Sequence, residues 1–141
     1  MPFKINISEK GKTFKLETDT ELLTGRKIGE KLDGKELKRE LEGYELEITG
    51  TSDIAGFPGA KDVEGSGLKK LLLKKGKFMK TSHPKGLRLK KSVRGNTISK
   101  ETIQINAKVI KSGGKKLEEI FPEQNQPKQK EEIKPEEEKK E

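Results

Sequence analysis

Thr102-Ile103-Gln104-Ile105-Asn106-Ala107-Lys108-Val109-Ile110 alternates apolar and polar residues without a break. Ile103, Ile105, Ala107 and Val109 fall on one side; Thr102, Gln104, Asn106 and Lys108 fall on the other. Successive side chains of a strand point to opposite faces, so this pattern predicts a half-buried strand of the kind an antiparallel sheet uses. Ser112-Gly113-Gly114 then breaks the pattern and ends the element.

The same period recurs through the chain. Phe3, Ile5 and Ile7 form one apolar face, and Phe14 and Leu16 repeat it after the turn signal Lys10-Gly11. Tyr44, Leu46 and Ile48 alternate again and predict a strand over 44–49. Leu68–Leu73 and Leu87–Val93 read as two further strands, with the basic stretch 74–86 looping between them. Lys35–Leu41 and Lys116–Phe121 each have room for one helical turn. Residues 50–67 hold five glycines and read as a loop. Short strands separated by glycine-rich turns, with no long helix, give a mainly β fold. A small antiparallel β-barrel with Gly-rich loops over 1–112 is expected, because closure removes exposed edges. A short helical turn follows it. The remainder of 113–141 is a Glu/Lys/Pro-rich tail in which Ile133 is the one apolar residue after Phe121, and such a composition predicts disorder.

Charge is distributed unevenly along the 141 residues. Between Gly65 and Lys100 there is no aspartate or glutamate, against twelve lysines and arginines. Residues 1–60 carry a net charge of −2, residues 61–116 of +14, and residues 117–141 of −4. So local an excess repels itself unless a polyanion neutralises it, and nucleic acid is the commonest dense polyanion in a cell. Lys69, Lys70, Lys74, Lys75, Lys77, Lys80, Lys85, Arg88, Lys90, Lys91 and Arg94 are the expected phosphate contacts. Lysine outnumbers arginine there, and lysine is a point charge suited to backbone contact more than to base readout. Phe78 is the only aromatic in the segment, which argues against a binder built from stacking platforms. A membrane surface would call for an amphipathic helix, which the glycines and prolines of this stretch interrupt. Charge kept only for solubility is the plainer alternative, but solubility does not require excluding every carboxylate.

Other chemistries find little support. The chain has no cysteine, so disulfides and thiolate chemistry are excluded. No apolar segment of signal-peptide or membrane-span length is present, which reads as a soluble cytoplasmic protein. Asn6-Ile7-Ser8 matches a glycosylation sequon, read here as chance. Gly11-Lys12-Thr13 resembles the end of a phosphate-binding loop, but position 6 is Asn6 where a glycine is required. His83, the one histidine, has no partner in the sequence that would make it a base or a metal ligand. Asp53, Asp62 and Glu64 fit no calcium-loop spacing, and Asp53 is expected to cap backbone amides in a turn. No catalytic set, metal site, cofactor or small-molecule substrate is expected.

The run from Ile48 through Gly50, Asp53, Gly56, Phe57 and Pro58 resembles the signature loop of the archaeal and eukaryotic small-subunit ribosomal protein six family, which is unrelated to the bacterial protein of that number. Lys90-Lys91-Ser92-Val93-Arg94-Gly95-Asn96 is similar to that family's second hallmark, and Pro2–Ile5 and Arg26–Gly29 follow it too. Thr51 stands where the family's second loop glycine is usual, and Gly59 where a methionine is. Residues 113–141 hold no serine or threonine, unlike the phosphorylated C-terminal helix of eukaryotic members, so the form looks archaeal. The resemblance implies a structural protein of the small ribosomal subunit, in contact with ribosomal RNA and neighbouring ribosomal proteins. The alternatives are a non-resident RNA-binding or translation-associated barrel, and an interaction module that docks an acidic protein.

Overall fold

The computed structural model describes residues 2–81 and 84–125. The six stretches read as strands form strands, and a seventh, not anticipated from the sequence, lies at Lys31–Asp33. They are β1 (Phe3–Glu9), β2 (Lys12–Thr18), β3 (Lys31–Asp33), β4 (Glu45–Asp53), β5 (Leu68–Leu73), β6 (Leu89–Arg94) and β7 (Thr102–Lys111). Two one-turn helices accompany them, α1 (Gly34–Leu37) and α2 (Leu117–Ile120). β1 and β2 are joined by Lys10 and Gly11 with φ of 46° and 82°; both positive angles give a turn whose twist matches the flanking strands. Gly11 therefore serves a hairpin, with no phosphate-loop context around it.

Five strands form one sheet in the order β2-β1-β7-β4-β3, and β5 and β6 form a separate two-stranded sheet. The expected closed antiparallel barrel is not what forms. β2 and β3 stand at opposite edges of an open sheet, and the central pair β1 and β7 runs parallel. Two features make closure unnecessary. β3 is only three residues long, and a short edge templates little pairing. At the other edge the side chain of Gln124 acts as a surrogate strand: Lys15 N–H donates to its Oε1 at 2.6 Å, and its Nε2 donates to the Lys15 carbonyl at 2.7 Å.

The apolar alternation is the inner face of the sheet. Ile5, Ile7, Leu46, Ile48 and Ile105 are fully buried beneath Leu23, Leu41, Tyr44 and Ile98. Each such side chain contributes about 1.5–3 kcal/mol over leaving it exposed. Packing continues past residue 112. Leu117 and Phe121 join the same core, and the Phe121 ring stacks on Phe14 with centroids 5.7 Å apart. A second, smaller core of Ala60, Val63 and Val93, with Leu71 and Phe78 against it, lies under β5 and β6. β4 runs on to Asp53, beyond the expected end at 49, through irregularities at Ile48/Gly50 and Ser52/Asp53. The tail beyond Asn125 lies outside the described residues.

Candidate nucleic-acid interface

The β5–β6 hairpin is mounted on the main sheet through the turn that follows β4. Asp53 Oδ1 accepts the Phe57 N–H at 2.8 Å, and the Gly56 N–H donates to the Asp53 carbonyl, which folds residues 53–57 tightly. The chain then passes as a filler between the two sheets. The Gly59 N–H donates to the Thr51 carbonyl, the Arg94 N–H to the Pro58 carbonyl, and the Ala60 N–H to the Arg94 carbonyl. Gly59 and Gly95 are needed for close approach. A Cβ on Gly59 would lie 2.1 Å from Thr51 Oγ1, and one on Gly95 would lie 1.8 Å from the Gly65 carbonyl oxygen.

Arg94 locks this joint. Its Nε donates to Asp53 Oδ2 at 2.8 Å, and its Nη1 reaches the Ser66 carbonyl at 3.0 Å and Glu101 Oε2 at 2.5 Å. The Asp53 side chain is 2% exposed. Burial alone would raise its pKa, but the Arg94 hydrogen bond, the Phe57 and Gly56 amides and the guanidinium charge together hold it below the usual carboxylate value. The expected turn-capping role of Asp53 is present; the ion pair with a residue 41 positions away is additional. Gly50, Asp53, Gly56, Phe57, Pro58 and Gly95 thus lie on or beside the joint, with Gly50 in the bulged part of β4.

Above the joint the hairpin carries cations only. Opposite residues share a face, so Lys69, Leu71, Leu73, Leu89, Lys91 and Val93 form the side that closes on the small core. Leu68, Lys70, Leu72, Lys90, Ser92 and Arg94 form the outward side. Lys74, Lys75, Lys77, Lys80, Lys85 and Arg88 lie in the loop that joins the strands, all exposed. The structure therefore gathers all eleven expected cations onto the hairpin and its loop, spread over both faces and the tip. Among the described residues Arg94 is the only one of the eleven paired with a carboxylate. Its charge is engaged at the joint by Asp53 and Glu101, where a phosphate contact was expected. Phe78 has φ of +65°, with Lys77 Nζ 5.1 Å over its ring. His83 lies outside the described residues.

The outer face of the five-stranded sheet holds a group that the sequence did not single out. Asn106 Oδ1 accepts from Asn6 Nδ2 at 3.2 Å and from Gln104 Nε2 at 3.0 Å. Alternation marked Gln104 and Asn106 as outward; no local signal links them to Asn6. The sequon asparagine is thus part of a strand-to-strand amide cluster.

The fold and site define a small open β-sheet protein bearing a basic hairpin whose cations, Arg94 apart, pair with no carboxylate among the described residues. The family model for ribosomal protein S6e matches residues 1–122. The chain is 44% identical over 119 residues to the small ribosomal subunit protein eS6 of Methanococcus maripaludis strain C7, covering 83% of this chain and 94% of that protein. It is 46% identical over 121 residues to the protein of the same name from Nanoarchaeum equitans, covering 84% and 88%. For the Methanocaldococcus jannaschii protein the identity is 42% over 111 residues, covering 79% and 82%. The chain belongs to the ribosomal protein S6e family, whose members are structural proteins.

Proposed function

We propose that this protein is a resident structural constituent of the small ribosomal subunit, holding ribosomal RNA through the β5–β6 hairpin and its loop. One observation carries the reading: ten exposed or half-exposed cations outside any ion pair among the described residues, on a single two-stranded element and its loop, without a carboxylate among them. Helical RNA offers proteins chiefly phosphates and 2′-hydroxyls, which suits lysine point charges. Lys69, Lys70, Lys74, Lys75, Lys77, Lys80, Lys85, Arg88, Lys90 and Lys91 grip phosphates, and Arg94 holds the hairpin at its base. The two-stranded hairpin has only a small core beneath it, and bound RNA completes its support. Neighbouring ribosomal proteins contact the remaining surface, and the working place is the ribosome in the cytoplasm. The names carried by the archaeal relatives support this assignment.

Sedimentation tests it. Native lysate is run through sucrose gradients at rising salt, and the protein is followed by mass spectrometry. Co-migration with small subunits, in amounts near those of other ribosomal proteins and surviving moderately high salt, is the expected result. Recovery at the top of the gradient would instead indicate a free RNA-binding protein.

A further inference from the structure

Where the hairpin meets the main sheet, a cleft of about 610 Å³ opens between residues 24–25, 66–67 and 97–101. Backbone hydrogen bonds hold its walls. The Gly25 N–H donates to the Ile98 carbonyl, the Gly95 N–H to the Gly67 carbonyl and the Thr97 N–H to the Gly65 carbonyl. Gly25 and Gly67 leave room on two sides, since a Cβ on either would meet nothing within 4 Å. Glu101 is fixed on the third side. Arg94 Nη1 donates to its Oε2 at 2.5 Å, its N–H donates to Ser99 Oγ at 3.4 Å, and its carbonyl accepts the Ile54 N–H at 3.1 Å. The Glu101 side chain is nevertheless 59% exposed, and Lys100 beside it is exposed and outside any ion pair among the described residues.

We infer that this cleft receives a ribose of the bound RNA, with Glu101 accepting a hydrogen bond from the 2′-hydroxyl and Lys100 holding an adjoining phosphate. The inference rests on the ribosomal RNA reading and adds to it a site that distinguishes a ribose from a sugar without that hydroxyl. The charges around Glu101 select the guest. A phosphate set against the carboxylate would be repelled, and a cation from a neighbouring protein would meet Arg94 and Lys100. A neutral hydroxyl donor meets neither objection, and a carboxylate is the acceptor that nucleotide sites use for a ribose 2′-hydroxyl. Position supplies the rest. Ser66 and Gly67 lead directly into β5 and Arg94 ends β6, so the cleft lies at the foot of the cationic hairpin. Helical RNA displays its 2′-hydroxyls along a wide, shallow minor groove, within reach of a carboxylate at a cleft mouth. Arg94 is then a positioning residue, holding Glu101 while itself held by Asp53.

The test uses the full chain and two RNA stem-loops of one sequence, one natural and one carrying 2′-fluoro sugars, which keep the A-form helix but donate no hydrogen bond. Wild-type protein is expected to bind the 2′-fluoro RNA about tenfold more weakly, the scale of one hydrogen bond to a charged group. Glu101→Ala, at an exposed position, is expected to bind both RNAs alike. Lys100→Gln should weaken binding to both and lower the salt slope by about 0.7–0.9 while keeping the 2′-fluoro penalty. Equal wild-type affinity for the two RNAs, or an undiminished penalty in Glu101→Ala, overturns the inference and leaves the ribosomal RNA reading standing. Wild-type protein that binds neither RNA overturns both. If Glu101→Ala keeps the penalty but strips a neighbouring protein from purified small subunits, the cleft is a protein contact and the inference fails.

Discussion

The guanidinium Nε of Arg94 donates to Oδ2 of Asp53 at 2.8 Å, tying the end of β6 to the end of β4. The pair is enclosed by the turn amides on one side and by Glu101 and the Ser66 carbonyl on the other. It is the mechanical link between the main sheet and the basic hairpin.

Removing the charge of Asp53 leaves a guanidinium at the joint without its main partner. Asp53→Asn is expected to destabilise the protein by about 3 kcal/mol, the scale for breaking a buried ion pair from one side. Urea denaturation followed by circular dichroism measures it. A loss below the range of surface substitutions would show that the joint does not depend on the pair.

The same pair imposes a pH dependence. Asp53 has a folded-state pKa below its unfolded value, so its contribution is fully present above the unfolded pKa of about 3.9. That contribution is lost as pH falls through the depressed folded value. The difference in urea midpoint between wild type and Asp53→Asn should be constant from neutrality down to about pH 5 and shrink below pH 4. A difference that does not narrow in acid would remove Asp53 as the responsible group.

Thr51 and Gly59 are the two departures from the family's usual loop, and they are in contact. A Cβ at 59 meets Thr51 Oγ1 at 2.1 Å and Ile28 Cδ1 at 2.9 Å. Gly59→Met alone should cost about 3 kcal/mol from overpacking. Combined with Thr51→Gly it should recover at least about 1 kcal/mol of that loss, a coupling typical of contacting residues. Strictly additive stabilities in the double-mutant cycle would mean that the two departures arose independently.

Gln124 shields the β2 edge with two hydrogen bonds to Lys15. Gln124→Ala is expected to cost about 1 kcal/mol, because the freed backbone groups are at the surface and water replaces the lost bonds. Amide hydrogen exchange at Lys15 should accelerate while that of Ile5 and Ile105 in the centre of the sheet stays slow.

Charge on the hairpin loop separates binding from folding. Lys74→Gln and Lys75→Gln should each weaken RNA binding and lower the salt slope by about 0.7–0.9, without shifting the melting temperature. Arg94→Gln should do the reverse, with stability falling first. Equal salt-slope changes for Arg94→Gln and Lys74→Gln would return Arg94 to the phosphate contacts.

Much of this was legible locally. Strand position follows from a period of two, which needs no knowledge of what lies opposite, and Ile5, Ile7, Ile48, Ile105 and Ala107 are buried as their alternation predicts. The acid-free stretch marked the hairpin and loop, and Asp53 was recognisable as a turn cap. The glycines at 59 and 95 were visible, but not that they answer to Thr51 and Gly65.

The sequence by itself determined six of the seven strands, β3 (Lys31–Asp33) being missed, which face of each is apolar, and where the positive charge lies, because these are properties of neighbouring residues along the chain. Only the tertiary structure decided that the sheet stays open, that β1 and β7 run parallel, that Gln124 covers an edge, that Arg94 turns inward to Asp53, and that Leu68 and Leu72 face outward. Each of these depends on partners brought together from distant parts of the chain, and alternation fixes a side chain's face without naming what covers it.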